Sequence, residues 1–312
     1  MLSVTMAALN ASQKEMNVTS NNLANASTVG FKRSYANFGD VFSNDPAANP
    51  KTAIGAGVLL TGVARDTTAG ALKSTGRVTD LAIDGRGYFI TQDPAGGAAT
   101  YSRAGNFSID KDGNLVDPGG FQVQGYKADY SAGSAGPPVV PPGVAPVYST
   151  PSVPADLAGV NIPTTLAAGA SWPDGTVDNS ANPPVKVTNN TGSDAIVLQS
   201  VSISPKGEVQ ATYSDNKTYT LRFLAVANFP NDGGLKAIGN NRYTETGLSG
   251  SAIWTPAGAP KAGNIMTGTL EQANVDITNE LMDMIRSQQV YNGNARMLQA
   301  TIETVSRITD KI

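Results

Sequence analysis

Both ends of the chain carry apolar residues at positions that alternate four and three residues apart, whereas the sequence between them shows the short runs typical of β-strands. At the C-terminus the series is Ile277, Leu281, Met284, Gln288, Tyr291, Ala295, Leu298, Ile302, Val305, Thr309 and Ile312. At the N-terminus it is Leu2, Met6, Leu9, Gln13, Met16, Ser20 and Leu23. This spacing predicts two terminal helices that pack along a seam, each needing a partner to cover its apolar row.

The pattern leaves open whether that partner is the other terminal helix of the same chain or a helix of another chain. Gln13, Ser20, Gln288 and Thr309 interrupt the rows, and polar residues at such positions set the register or select a second partner. We therefore expect the rows to act as interfaces between subunits. Contacts of this kind that do not close into a ring generate a helical filament.

The first helix is expected to end between Asn25 and Gly30, because this segment is poor in helix formers and Gly30 can adopt a positive φ. Aromatic residues between Phe31 and Phe42 predict a short element that packs on a core. Further along, short apolar or alternating runs bounded by Gly, Asp or Asn predict strands. They lie at residues 58–63, 81–83, 88–91, 107–109, 121–123, 185–187, 196–203, 209–213, 219–226 and 242–244.

Residues 131–184 differ in composition, because they contain eleven Pro and no Lys or Arg. Such a segment favours extended, partly polyproline II chain over a packed core. We expect a Pro-rich insertion or small outer subdomain there. The predicted fold class is mainly β with paired N- and C-terminal α-helices. Residues 1–30 and 277–312 would form a helical coiled-coil domain, and residues 31–130 and 185–276 a β-rich domain.

Composition argues against most catalytic and nucleic-acid functions. The chain has no Cys and no His, which excludes disulfides and thiolate metal sites and removes the commonest general base. We predict no catalytic, metal or cofactor site. A net charge of −3 with 15% charged residues does not indicate a nucleic-acid partner. No apolar stretch is long enough to span a bilayer, and no basic segment precedes Lys14, so neither membrane insertion nor a cleaved secretory signal is expected.

Several acidic residues could in principle supply a carboxylate pair for glycoside chemistry. They are Asp80, Asp84, Asp93, Asp110, Asp112 and Asp117. Most lie beside Gly, Asn or Pro, where Asp is favoured for its turn hydrogen bonds. The segment 110–114 lacks the distal Glu of a calcium loop, and Gly85-Arg86-Gly87 lacks the third glycine of a phosphate loop. Turns are the preferred interpretation of all these positions.

Four segments carry a resemblance to one protein family. Residues 20–33 read SNNLANASTVGFKR and include Asn21, Asn22, Leu23, Ala24, Asn25, Gly30, Phe31 and Lys32. This segment resembles the N-terminal signature of bacterial flagellar rod and hook proteins, the axial family. Residues 70–89 and 101–116 are similar to the central signature of the family, and residues 268–295 to its C-terminal signature.

The resemblance implies a structural subunit of the flagellum and no enzymatic activity. In such proteins the terminal helices form the inner wall of a tube and the β domain its outer layer. The expected assembly interface comprises Leu2, Met6, Leu9, Met16, Leu23, Ile277, Leu281, Met284, Tyr291, Leu298, Ile302, Val305 and Ile312. The implied partners are identical subunits, neighbouring rod, hook-cap and hook–filament junction proteins, and the flagellar type III export apparatus.

Within this family, residues 207–229 are most similar to the hook proteins, which form the tubular hook that transmits motor torque to the filament. The short run from Gly30 to Ile54 also favours a hook subunit. Hook proteins commonly carry a large outer domain, and only the Pro-rich segment occupies that place here. The distal or proximal rod protein is therefore the alternative. A hook protein would be extracellular, and a rod protein would be periplasmic. Two other classes compete with the axial family: a surface β-domain enzyme, and an adhesin that uses the Pro-rich region. Truncation of both terminal helices would distinguish these classes from an axial subunit.

Overall fold

A computed structural model describes residues 2–42, 55–127, 157–172, 176–178, 185–186, 190, 195–259 and 262–309. The chain is mainly β with a helix at each end, as predicted. It divides into two compact units. The helical unit comprises Met1–Gly70 and Ala273–Ile312, and the β unit comprises Ala71–Gln272. Residues 31–70, which were expected in the β domain, thus belong with the helices.

The helical unit consists of two helices and a β-hairpin. Its elements are α1 (Leu2–Ala24), β1 (Ser34–Phe42), β2 (Gly55–Arg65) and α2 (Ile277–Thr309). Helix α1 packs against α2 and against both strands. The predicted helix end is accurate, since α1 stops at Ala24 and Gly30 has a φ of 69°.

Two of the aromatic residues after α1 do not pack on a core as expected. Tyr35 and Phe38 lie on β1, which pairs antiparallel with β2, and both side chains remain exposed. The physical reason is that a two-stranded sheet has no second layer to cover both of its faces.

The β unit is built from many short strands joined by tight turns. They are β3 (Leu72–Ser74), β4 (Leu81–Asp84), β5 (Tyr88–Gln92), β6 (Thr100–Ser102), β7 (Ser108–Ile109), β8 (Leu115–Val116), β9 (Gln122–Lys127), β10 (Leu157–Gly159), β11 (Thr165–Leu166), β12 (Val177–Asp178), β13 (Val185–Lys186), β14 (Ile196–Ile203), β15 (Glu208–Tyr213), β16 (Thr218–Asn228), β17 (Lys236–Gly239), β18 (Arg242–Thr244), β19 (Ile253–Pro256), β20 (Asn264–Thr267) and β21 (Thr269–Glu271). The main sheet follows the order β11-β14-β15-β16-β9-β5-β6-β18-β17. Two smaller pairings, β20 with β4 and β21 with β3, join the two halves of the unit.

Strand β16 is the centre of the β unit. Its sequence TYTLRFLAVAN is largely apolar, and every residue from Tyr219 to Ala227 is buried, including the polar Thr220 and Arg222. It pairs antiparallel with β15, β9, β12, β5 and β19 along different parts of its length. A strand covered on both faces needs this near-continuous apolar run, because neither side chain row reaches solvent.

The described part of the Pro-rich segment differs from the loose chain that its composition predicts. Strand β10 pairs with β9, and Leu157, Val160, Ile162, Leu166 and Trp172 are buried in the core. Trp172 contacts the rings of two buried tyrosines of neighbouring strands. Apolar residues between the prolines therefore outweigh the extended preference of the segment. Residues 128–156 lie outside the described residues, so the insertion itself stays a prediction there.

Buried tyrosines make the β unit sensitive to alkaline pH. Burial raises the pKa of Tyr101 to about 12 and that of Tyr126 to about 12. An unfolded tyrosine titrates near pH 10. Between about pH 10 and 12 the unfolded chain therefore loses these protons first, and the free energy of unfolding should fall with rising pH.

Urea unfolding from pH 8 to 12, followed by tryptophan fluorescence, measures this slope. Tyr101→Phe should make the decline shallower. Tyr35→Phe, a substitution at an exposed position of the helical unit, serves as the control. An equal slope in the wild-type chain and the Tyr101→Phe variant would contradict the assignment.

Candidate assembly site

Helix α1 has a covered face that combines small polar and large apolar residues. Thr5, Ser12 and Thr19 are buried, and Leu9, Met16 and Leu23, each four positions after one of them, are partly buried. These positions again alternate four and three residues apart. The Ser12 hydroxyl donates to the carbonyl of Ala8 at 2.9 Å, which satisfies its donor within the helix. Small hydroxyl residues on a covered face let a neighbouring element approach closely.

Helix α2 repeats the same arrangement. Its covered row is Glu280, Met284, Ser287, Tyr291, Asn294, Leu298 and Thr301. Glu280 and Ser287 are buried, and the other members of the row are partly covered. The Thr301 hydroxyl donates to the Met297 carbonyl at 2.8 Å. In both helices, each heptad of the covered row thus contains a large apolar residue and a small or polar one. The two helices pack against each other.

The predicted interface residues fall into two groups. Leu9, Met16, Leu23, Met284, Tyr291 and Leu298 lie on the covered rows. Met6, Ile277, Leu281, Ile302 and Val305 are exposed in the single chain, Met6 to 51%. The side chain of Leu2 and all of Ile312 lie outside the described residues. Each predicted row therefore contains residues that are covered within the chain and residues that stay exposed.

The sequence pattern did not identify the small and polar members of the covered rows, because it considered only the spacing of apolar residues. Thr5, Ser12 and Thr19 each lie one position before a residue of the predicted N-terminal row, namely Met6, Gln13 and Ser20. Their seven-residue repeat was the signal that could have found them, since a hydroxyl that bonds its own helix costs little when buried.

A network of polar contacts joins the end of α1 to the start of α2. Asn22 is buried, and its amide donates to Glu280 Oε2 at 3.2 Å and to the Ser34 carbonyl at 2.7 Å. The Ser34 backbone N–H donates back to Asn22 Oδ1 at 2.9 Å. A single asparagine therefore holds the first strand of the hairpin and the first turn of α2 together.

Arg33 completes this network from the hairpin side. Its Nε forms an ion pair with Glu280, and its Nη2 lies 3.5 Å from Asp283 Oδ2. The hydrogen bond to Glu280 raises the pKa of Arg33 above its usual value. Glu280 is 1% exposed, so the carboxylate is removed from water and satisfied by Arg33 and Asn22 together. We call Asn22, Arg33 and Glu280 the clamp.

Asn274 supports the clamp from the segment before α2. Its Oδ1 accepts the Arg33 backbone N–H at 2.6 Å, and its amide donates to the Asp66 and Thr68 carbonyls, each at 3.1 Å. Lys32 is buried and donates to the same Thr68 carbonyl at 2.6 Å. Asp276 then caps α2, accepting the Thr278 N–H at 2.8 Å.

The structure gives physical roles to most of the family-motif residues. Asn22 and Lys32 make the contacts described above, and Leu23 lies on the covered row of α1. The Asn25 amide donates to the Asn21 carbonyl at 2.9 Å, which closes the last turn of the helix. Gly30 supplies the positive φ that turns the chain into the hairpin. The Phe31 carbonyl accepts the Asn274 N–H at 3.4 Å, and Ala24 is the last residue of α1.

Three of the acidic residues considered for glycoside chemistry accept hydrogen bonds from the backbone of turns, as expected. Asp110 Oδ1 accepts the N–H groups of Asp112 and Asn114, and Asp117 Oδ1 accepts those of Gly119 and Phe121. Asp93 accepts the Ala95 N–H in the same way. Within the described residues no group of His, Cys, Asp or Glu could hold a metal ion, and no helix is long and apolar enough to cross a membrane.

The fold and the site define a class: a mainly β structural protein that carries a clamped pair of terminal helices with exposed apolar residues. Comparisons with known proteins give the family. Residues 2–32 match the flagella basal body rod protein model, residues 82–211 the flagellar hook protein FlgE/F/G D1 domain, and residues 266–310 the C-terminal model of the flagellar basal body rod FlgEFG proteins. The chain belongs to the flagellar hook and rod family of axial proteins.

Curated relatives include both hook and rod proteins. The chain is 27% identical to flagellar hook protein FlgE of Escherichia coli over 408 aligned positions, covering 97% of each chain. It is 30% identical to flagellar basal-body rod protein FlgG of Buchnera aphidicola from Acyrthosiphon pisum over 312 positions, covering 96% of this chain and 95% of the relative. The crystal structure of Helicobacter pylori flagellar hook protein FlgE2 aligns with a TM-score of 0.41 and 11% identity, covering 64% of this chain and 100% of the other.

Proposed function

We propose that this chain is a structural subunit of the flagellar hook, which polymerises into a tube and transmits motor torque to the filament. It performs no catalysis and needs no cofactor. The observation that supports this function most directly is the exposed apolar surface of a clamped helix pair. Ile277, Leu281, Ile285 and Ile302 are all exposed on α2, although its other side packs on α1. A helix with apolar residues on several sides is covered by protein in its final state.

The assembly interface is the exposed part of the predicted rows. Met6, Ile277, Leu281, Ile302 and Val305 would contact terminal helices of neighbouring copies, since the covered rows are already occupied within the chain. Such a contact joins different faces of successive copies and extends without closing, which gives a helical polymer. Neighbouring rod, hook-cap and hook–filament junction proteins would contact the two ends of the tube, and the type III export apparatus would deliver the subunit.

The rod is the second candidate, and a specific observation favours it. The alignment to the rod relative spans 312 positions, whereas the alignment to the hook relative spans 408, more than the 312 residues of this chain. The hook relative therefore carries residues with no counterpart here. The similarity of residues 207–229 to hook proteins supports the hook.

Labelling in cells distinguishes these candidates. Because the chain has no Cys, a single Lys111→Cys substitution in an exposed turn of the β unit gives one reactive thiol. A membrane-impermeant maleimide should label intact cells on the curved segment outside the envelope. Label that requires opening of the envelope and lies on the straight shaft would contradict the hook and establish the rod. The Cys-free parent is the control for background.

Truncation tests the polymer itself. Removal of residues 277–312 should leave a soluble β unit with unchanged tryptophan fluorescence and should reduce polymer formation at least a hundred-fold, because the interface residues of α2 are lost. Electron microscopy and sedimentation of the purified chain measure this. Polymers of normal length from the truncated chain would contradict the proposed role of the helices.

A further inference from the structure

Strands β3 and β4, at the start of the β unit, depend on a segment from its far end. Among the described strands, β4 pairs only with β20, and β3 pairs only with β21. We call residues 263–271, which contain both of these late strands, the closing segment. Leu81, Ala82 and Ile83 of β4 are almost fully buried. Their burial therefore requires a partner strand that lies at the end of the β unit.

The closing segment also contacts the other half of the β unit. The Ile265 backbone N–H donates to the Pro205 carbonyl at 3.0 Å, and the Thr267 hydroxyl donates to the Ile203 carbonyl at 2.8 Å. The Ile265 side chain is 1% exposed and belongs to the core cluster that includes Ile83. The closing segment therefore lies between early and late strands, and removing it would open the core to water.

The last residue of the closing segment neutralises a buried cation. Arg103 is only 5% exposed, and its Nη1 lies 3.2 Å from Glu271 Oε2. The two residues are 168 positions apart in the sequence. Without Glu271, folding would bury an unpaired guanidinium, which lowers the folding equilibrium constant roughly a hundred-fold or more. The early strands therefore carry a charge whose partner arrives late.

Gly263 begins the closing segment at a close approach to β4. It is buried, and a Cβ added there would lie 2.6 Å from the Asp84 carbonyl oxygen. Its N–H donates to the Arg86 carbonyl at 3.0 Å. Because backbone atoms in a packed core cannot move aside for a side chain, any other residue at this position displaces the closing segment from β4. A substitution here blocks the pairing without changing a charge.

We propose that the β unit folds only when the closing segment is in place, so that the β unit stays open while the first 262 residues are synthesised. A chain grows from its N-terminus, and contacts between distant residues form late because loop closure costs entropy. Strands β3 to β19 precede the closing segment, but until it arrives β4 lacks its partner strand and Arg103 lacks its carboxylate. The inference concerns the folding of one chain and holds for a hook or a rod subunit alike.

A full-length Gly263→Val variant tests whether closure controls the whole β unit. Gly247→Val is the matched control, because an added Cβ at Gly247 meets no described atom within 4 Å. Hydrogen exchange measures the protection of each strand. We expect the amides of β16, which pairs with neither strand of the closing segment, to exchange at least about a hundred-fold faster in Gly263→Val and at the wild-type rate in Gly247→Val. Faster exchange confined to β3 and β4 would overturn the inference.

Chains of defined length test the order of folding. One chain ends at Ala262 and the other at Asp276, and both begin at residue 1. Protease resistance and the fluorescence of the two tryptophans should be native-like in the longer chain and absent in the shorter one. A synthetic peptide of residues 263–276, added in excess during refolding, should restore both signals to the shorter chain.

Two altered peptides show whether the buried ion pair controls closure. A Met266→Ala peptide, changed at an exposed position, should act at nearly the same concentration as the wild-type peptide. A Glu271→Ala peptide should need at least about a hundred-fold higher concentration, because it leaves Arg103 unpaired. Equal potency of the two altered peptides would contradict the inference.

The remaining outcomes are also decisive. A folded chain ending at Ala262 would show that the closing segment is dispensable and would overturn the inference. An unfolded chain ending at Asp276, or failure of the wild-type peptide to restore the fold, would show that the closing segment is not sufficient to complete the β unit, which overturns it as well. None of these results bears on the hook or rod function, which polymer formation by the wild-type chain tests separately.

Discussion

Replacing Glu271 with alanine is expected to destabilise the β unit by about 3–5 kcal/mol, the range for breaking a buried ion pair by removing one partner. Glu271 Oε2 lies 3.2 Å from Arg103 Nη1, and the side chains are only 1% and 5% exposed. Arg103 also donates to the Ile83 carbonyl at 3.2 Å and to the Gly85 carbonyl at 2.8 Å. Loss of the carboxylate would leave a buried cation that holds the turn after β4.

Urea unfolding followed by tryptophan fluorescence measures this loss, because both tryptophans of the chain, Trp172 and Trp254, lie in the β unit. Asp112→Ala is the control, since that carboxylate is 62% exposed and pairs with an exposed lysine; its effect should stay below about 0.5 kcal/mol. The double variant Arg103→Met with Glu271→Leu should be more stable than Glu271→Ala, because no unpaired charge remains. A loss below about 1 kcal/mol for Glu271→Ala would contradict this account of the pair.

Replacing Glu280 with alanine should loosen the clamp and destabilise the helical unit by about 2–3 kcal/mol. The expected loss is smaller than for Glu271→Ala because Arg33 is 33% exposed and can be hydrated when its partner is removed. A loss remains because the buried amide of Asn22 loses its charged acceptor. Hydrogen exchange of the first turns of α2 in the assembled chain should speed up by a corresponding factor of about 30 to 150. Polymer yield should fall with it.

Asp283→Ala is the matched control for this prediction. Asp283 contacts the same guanidinium at 3.5 Å, but it is 45% exposed, so its contribution should stay below about 1 kcal/mol. Equal acceleration of exchange in both variants would contradict the view that burial of Glu280 makes the clamp strong. Asn22→Ala should resemble Glu280→Ala, because it leaves the Ser34 N–H without its acceptor.

Local pattern was sufficient to predict most elements of the fold. Strands β14 and β18 have the predicted bounds, and α1 ends at the predicted breaker segment. These elements follow from residue order alone, since alternation, apolar runs and helix breakers act over a few neighbouring residues. The Gly85-Arg86-Gly87 segment is a turn as predicted, because Gly85 and Gly87 have φ values of 118° and 125°.

Long-range packing explains what the pattern did not predict. Trp172 and its neighbours entered the core although the surrounding prolines indicated loose chain, because apolar surface that can reach a sheet is buried whatever the local preference. Residues 31–70 joined the helices because the hairpin pairs with itself and packs on α1.

The sequence by itself determined the mainly β class, the two terminal helices, the family signatures and the absence of Cys and His, all of which depend on residue type and spacing. Only the tertiary structure decided which residues of each apolar row are covered within the chain. It also placed Asn22 beside Glu280, 258 residues away. The physical reason is that a heptad repeat specifies a helical face, whereas the partner of that face depends on which elements the folded chain brings alongside it.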